Sequence, residues 1–198
     1  MITSIKHSEI RLANKTEMSI IIQIIMNSFK SDPHINWLLE KSNNPKKIEI
    51  AAEYITDETF AKGEIYLTND DLGLAFWQTE KKEGFSINFI KRNLSFLFRL
   101  GLRTAFRSLK NQILSHSHFP KKKPFYYLAL IGVMPQVQGK GLASKLLNPV
   151  LEDCKNKKTP VYLETGNKNN VEIYKKKGFT LTDTYVAGNF NIYFMKIA

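Results

Sequence analysis

Residues 126–143 read Y-Y-L-A-L-I-G-V-M-P-Q-V-Q-G-K-G-L-A, an apolar run that turns through a glycine-rich loop into the start of a helix. The segment 127–133, apolar and partly β-branched or aromatic, predicts a buried strand. After the loop, Leu142, Leu146, Leu147, Val150 and Leu151 carry the spacing of a helix's buried face. Between them stand Gln138, Gly139, Lys140 and Gly141. Glycines at a strand-to-helix turn let the backbone approach a ligand closely, and a helix's first N–H groups have no internal partner. An anion docked there accepts from several donors at once, so the stretch reads as a phosphate cradle; turn geometry alone is the other reading of the glycines.

The 198 residues fit one medium domain with a substantial core, and a single domain over residues 1–198 is expected. An apolar fraction of 43% and an aromatic fraction of 12% exclude global disorder. Twenty-nine Lys and Arg against 18 Asp and Glu leave a net charge of +11. Such a surface favours anions, whether nucleic acid, an anionic membrane, an acidic substrate or a polyphosphate cofactor, and charge alone does not choose. The lysines beside asparagines at 41–47 and 156–158 fit solvated loops and helix ends. A single cysteine, Cys154, rules out an internal disulfide and a multi-cysteine metal site, and it reads as a small core residue rather than a nucleophile. The first residues lack a basic opening followed by a long apolar core, and no window reaches the roughly 18 apolar residues of a membrane span. A soluble, cytoplasmic protein is expected.

Along the chain, residues 9–12 predict a short first strand, and Asn14, Lys15, Thr16 and Glu17 offer caps for a helix over 18–29. Ser31, Asp32 and Pro33 break it before a short helical turn at 34–39; Phe29 and Trp37 flank the break, as packing or as a substrate mouth. Pro45 opens a helix whose apolar stripe runs to Gly63. Strands at 64–68 and 72–78 around Asn69, Asp70 and Asp71 predict a hairpin. From 86 to 114, Ile87, Ile90, Leu94, Leu97, Leu102, Ala105, Leu109 and Ile113 recur at mostly three or four residues, with Gly101 marking a bend or a division into two helices. This amphipathic stretch is expected to form an intramolecular lid or core helix, with a membrane surface as the alternative. His116 and His118 precede the central strand in an expected solvated linker; nothing near them completes a metal set. A helix over 143–157 containing Pro149, a strand at 160–165, a helix over 169–177 stopped by Gly178, and strands at 179–185 and 191–197 complete an α/β order.

The segment V-M-P-Q-V-Q-G-K-G-L-A, followed by Y-L-E-T-G-N-K-N-N-V-E-I-Y-K-K-K-G-F, resembles the GNAT superfamily of acyl-CoA-dependent N-acyltransferases. Gln138, Gly141 and Ala143 match its Q/R-x-x-G-x-G/A motif, and Asn167 or Asn170, Tyr174, Gly178 and Phe179 match its later N, Y and GF pattern. These motifs cover the C-terminal third directly; the N-terminal elements fit the family in outline. Within it, Q-G-K-G-L, Pro149, L-E-T and the asparagine-rich turn are similar to puromycin N-acetyltransferase-like members.

The resemblance implies a GNAT fold: a mixed central sheet of about six or seven strands, helices on both faces, and acyl-CoA at a splayed central strand. It implies that Gln138, Gly139, Lys140, Gly141, Leu142, Ala143 and Ser144 hold the pyrophosphate. Backbone near Ile131 and Val133, with Asn167 or Asn170, would meet the pantetheine arm. Tyr174 would protonate the leaving thiolate, and the Val133 amide would polarise the thioester carbonyl. Glu164 is the candidate base, or else caps the turn that follows it. Such relatives often carry a histidine before the tyrosine-leucine pair of the central strand, where this chain has Phe125 and Tyr126. The implied reaction moves an acetyl group from acetyl-CoA to a primary amine of a small molecule, without a metal. A protein or peptide acceptor, and a non-catalytic acyl-CoA-binding or nucleic-acid-associated protein, are the alternatives. No nucleic-acid or membrane partner is expected, and the protein is expected to be a monomer or homodimer.

Overall fold

The computed structural model describes residues 9–39, 44–79, 86–120 and 123–198. A short strand β1 (Ile10–Leu12) leads through a 3-10 turn into helix α1 (Met18–Ser28), and a capping box closes the N-terminus of the turn. The Asn14 side chain accepts from the Thr16 N–H at 2.9 Å, and the Glu17 carboxylate accepts from the Asn14 N–H at 2.9 Å. Helix α2 (Pro33–Leu38) starts where Asp32 accepts from the His34 and Ile35 amides, and α3 (Pro45–Lys62) where Asn44 accepts from the Lys46 amide. Proline stands at the first turn of both, where its missing N–H costs nothing.

The hairpin β2 (Gly63–Thr68) and β3 (Gly73–Thr79) follows, then α4 (Ile87–Leu100) and α5 (Leu102–Ser117). The C-terminal part runs β4 (Tyr126–Val133), α6 (Leu142–Asn156), β5 (Val161–Thr165), α7 (Lys168–Lys175), β6 (Thr180–Ala187) and β7 (Phe190–Ile197). The strands form one seven-stranded sheet in the order β1-β2-β3-β4-β5-β7-β6, in which β4 and β5 are the parallel pair. Strand alternation sends Ala75, Trp77 and Leu128 to one face, under Leu146, Leu147 and Val150 of α6, and Leu74 and Phe76 to the other, under Ile21 and Ile24 of α1 and Ala52 of α3. Each fully buried leucine contributes roughly 1.5–3 kcal/mol of transfer free energy. Helix α6 continues through the buried Pro149 to Asn156.

The strand β4 pairs with β3 from Tyr126 to Val133 but with β5 only from Tyr126 to Leu128. An irregularity at Phe76/Trp77 gives Leu128 and Leu130 consecutive partners on β3, with Ala129 extra. Beyond Leu128 the two central strands therefore diverge, as the expected splay requires.

Three expectations need correction. Gly101, at φ 86°, divides the 86–114 segment into two helices, and α5 lies over a cavity as a lid, but the apolar stripe is not its inward face: Ile87, Leu102 and Ile113 are 72%, 77% and 63% exposed. The buried face of α5 carries Thr104 and Ser115, and Asn111, Gln112 and Ser115 line the cavity beneath it. His116 belongs to α5 rather than to a linker, and His118 is not a solvated loop residue. Its ring stacks on Phe194 at 3.9 Å, and its Nε2 lies 2.9 Å from the Asp183 carboxylate, a pairing that holds the Asp183 carboxyl below its ordinary range.

Candidate active site

Where β4 and β5 diverge, a cavity of about 490 Å³ opens among α1, α2, α3, α5 and the strand ends. Ile131, Glu164, Asn170 and Tyr174 all line it. Tyr174 arrives on α7, packed edge-on against Phe179, and it is 6% exposed. Burial first, and the negative charge of Asp32 second, push its phenol above the ordinary value. The hydroxyl therefore stays protonated through neutral pH and has a proton to give.

Glu164 leaves the end of β5 half-buried, and its carboxylate is anchored at both oxygens. Asn111 Nδ2 donates to Oε1 at 3.1 Å, and the Ser115 hydroxyl donates to Oε2. The Asn111 Oδ1 in turn lies 3.1 Å from His34 Nε2. A second carboxylate on the wall, Glu58, is held by Lys62 one helical turn on and by Gln112 Nε2 at 3.3 Å. Among the described residues Glu164 has no such ion pair. Tyr127 lies between the two carboxylates electrostatically: burial, then Glu164, then Glu58 push its phenol well above its ordinary value, against a hydrogen bond with Ser115.

The glycine loop stands apart from this cavity, after β4. Gly139 at φ 77° and Gly141 at φ 82° occupy the left-handed region, with open space where a Cβ would stand. Backbone conformation, not crowding, selects glycine there. Gly141 begins α6 without a side-chain cap, which leaves the amides of Leu142, Ala143 and Ser144 free of helical partners. Lys140 is exposed beside them. Gln138 turns back instead, its Nε2 donating to the Val133 carbonyl at 3.1 Å, so its side chain shapes the loop. The donor set and open space suit a polyphosphate.

The two asparagines separate. Asn167 caps α7 by accepting from the Asn169 amide at 3.0 Å, whereas Asn170 lines the cavity and donates to Thr165 Oγ1 at 3.3 Å. Sequence reasoning did not find His34, Asn111, Ser115 or Glu58. The one available signal was the spacing of Thr104, Asn111 and Ser115, which share one face of the helix opposite its apolar stripe. Among the described residues no group of three His, Cys, Asp or Glu could hold a metal, and no helix is long and apolar enough to cross a membrane.

A family model for the acetyltransferase (GNAT) domain matches residues 102–196. An uncharacterized N-acetyltransferase of Schizosaccharomyces pombe is 24% identical over 166 residues, 78% of this chain and 67% of the relative. Among solved structures, a histone acetyltransferase HPA2 and related acetyltransferase from Corynebacterium glutamicum superposes with a TM-score of 0.71 at 18% identity, covering 96% of each chain. Arylalkylamine N-acetyltransferase 2 from Aedes aegypti superposes with a TM-score of 0.62 at 14% identity, over 96% of this chain and 99% of that one. Motif, splayed sheet and comparisons agree on a GNAT fold, with residues 102–196 matching the acetyltransferase (GNAT) domain, as in an acyl-CoA-dependent acetyltransferase.

Proposed function

We propose that the protein, working as one domain, transfers the acetyl group of acetyl-CoA to the primary amine of a small molecule bound in the cavity. The observation that carries this reading is the meeting of Tyr174, Glu164 and Asn170 on one cavity at the end of the splayed strand. Enclosure by α1, α2, α3 and α5 favours a compact acceptor over an extended peptide. Apolar wall residues such as Phe29, Ile55 and Leu130 beside the unpaired Glu164 favour an amine with an apolar body. The Aedes aegypti arylalkylamine enzyme is in keeping with such an acceptor; the Corynebacterium glutamicum protein, a histone acetyltransferase by its name, keeps the protein acceptor as an outcome of the test.

In this reading the amides from Gly139 to Ser144, with Lys140, hold the pyrophosphate of the donor. The β4 edge at Ile131 and Val133 and the Asn170 side chain meet its pantetheine arm. Glu164 binds the acceptor as an ammonium, which gives one proton to bulk water before reaction, and the resulting neutral amine attacks the thioester carbonyl, whose oxygen the Val133 amide polarises. As the new C–N bond forms and the C–S bond breaks, Glu164 takes the amine proton directly or through water. Tyr174 supplies one proton to the departing thiolate, so the products are an N-acetyl amide and free CoA thiol. Thiol release from acetyl-CoA against arylalkylamines, polyamines, amino acids, amine antibiotics and peptides tests the reading. Turnover with a small amine supports it. Turnover with peptides alone replaces the acceptor class, and CoA binding without release with any amine removes catalysis.

A further inference from the structure

We propose that the α4–α5 face docks the protein on an anionic membrane surface. On α4, Ile87, Ile90, Leu94 and Phe98 share one face by their spacing; on α5, Leu102, Phe106, Leu109 and Ile113 do the same. All eight are exposed, Phe98 to 82%, and both stripes point away from the buried sides of their helices. A patch this apolar on a water-facing helix pair marks a contact surface.

The charges identify what it contacts. Residues 86–118 hold Lys91, Arg92, Arg99, Arg103, Arg107 and Lys110 and no Asp or Glu. Arg99 reaches Glu53 on α3, and Arg107 donates to the Trp37 carbonyl at 2.8 Å, while Lys91, Arg103 and Lys110 are exposed beside the stripes. A two-fold pairing of this face with a second copy would set cation against cation. A bilayer with anionic headgroups accepts both features, taking the stripe to the acyl boundary and the flanking cations to the phosphates. Leu109 belongs to the stripe and also to the wall of the 490 Å³ cavity, so the docked face adjoins the site. The docking does not depend on the acceptor's identity.

Sedimentation of the full chain with phosphatidylcholine vesicles, with and without phosphatidylglycerol, tests this. We expect binding to the phosphatidylglycerol vesicles only, weakening as salt rises, and a loss of at least about tenfold in the Phe98→Asp/Phe106→Asp variant. Both positions are exposed, so circular dichroism and thiol release by the variant should match the parent. The proposal is overturned if neither vesicle binds, or if the variant sediments as well as the parent. It is equally overturned if the two phenylalanines govern dimer formation with no vesicle binding, or if an oligonucleotide binds and the vesicles do not.

Discussion

Asn111 Nδ2 donates to Glu164 Oε1 at 3.1 Å, while its Oδ1 lies at the same distance from His34 Nε2. A carboxylate only accepts, so the amide must turn its NH2 to Glu164 and its oxygen to His34, which in turn fixes a proton on His34 Nε2. One side chain thus couples α2, α5 and β5, and it holds the Glu164 carboxylate at the cavity wall.

If Glu164 takes the amine proton, Glu164→Gln, which keeps shape and loses basicity, should lower kcat by about 10²–10⁴. The KM for acetyl-CoA should stay near the parent value. Steady-state kinetics with a productive amine decide, and near-normal kcat would assign the base to another group or to water.

Asn111→Asp sets a second carboxylate beside Glu164 in place of a donor. Like charges disfavour ionisation, so the pair titrates higher. A base must be deprotonated to work, and the acidic limb of kcat/KM should therefore move to higher pH. An unmoved limb in the pH-rate profile would sever Asn111 from the group that titrates there.

Tyr174→Phe should lower kcat by about a hundredfold or more, with little change in acetyl-CoA affinity by calorimetry. Because burial holds the phenol above its ordinary value of 10.0, no fall in activity below that pH should trace to Tyr174. Retained turnover in the phenylalanine variant would mean that the thiolate takes its proton from elsewhere.

The parts of this site that were legible in sequence are local. The strand, glycine loop and helix from Tyr126 to Asn156 follow from hydrophobic period and turn chemistry, and the Asn14–Glu17 cap from residues three apart. The His34–Asn111–Glu164 chain was not legible, because its members lie on three elements far apart in sequence and only the tertiary fold joins them. The α5 stripe misled for a related reason. Periodicity identifies an apolar face but not its direction, and here the inward face carries Thr104 and Ser115.

At Gly141, φ is 82°, and a non-glycine residue held there costs roughly 1–2 kcal/mol in backbone strain. Gly141→Ala should show that cost alone as a modest rise in the dissociation constant for CoA. Gly141→Glu adds a like charge at the pyrophosphate and should weaken CoA at least about tenfold further. Equal affinities for the two variants in a calorimetric titration would place the pyrophosphate away from this loop.

Cys154, packed on α6 against the sheet, has its thiol pushed up to about 12, by burial first and then by Asp153 beside it. The folded chain should therefore resist iodoacetamide at pH 8, reacting only on unfolding, because the thiolate is the nucleophile. The sign for stability follows. Between the unfolded thiol's value, near 8.5, and about 12 the unfolded state sheds a proton that the folded state keeps, so stability should fall as pH rises through that window. Cys154→Ala should remove that part of the slope, at a packing cost near neutral pH. Rapid alkylation of the native protein, or an unchanged alkaline slope in denaturant melts of the variant, would show that the thiol is accessible to solvent.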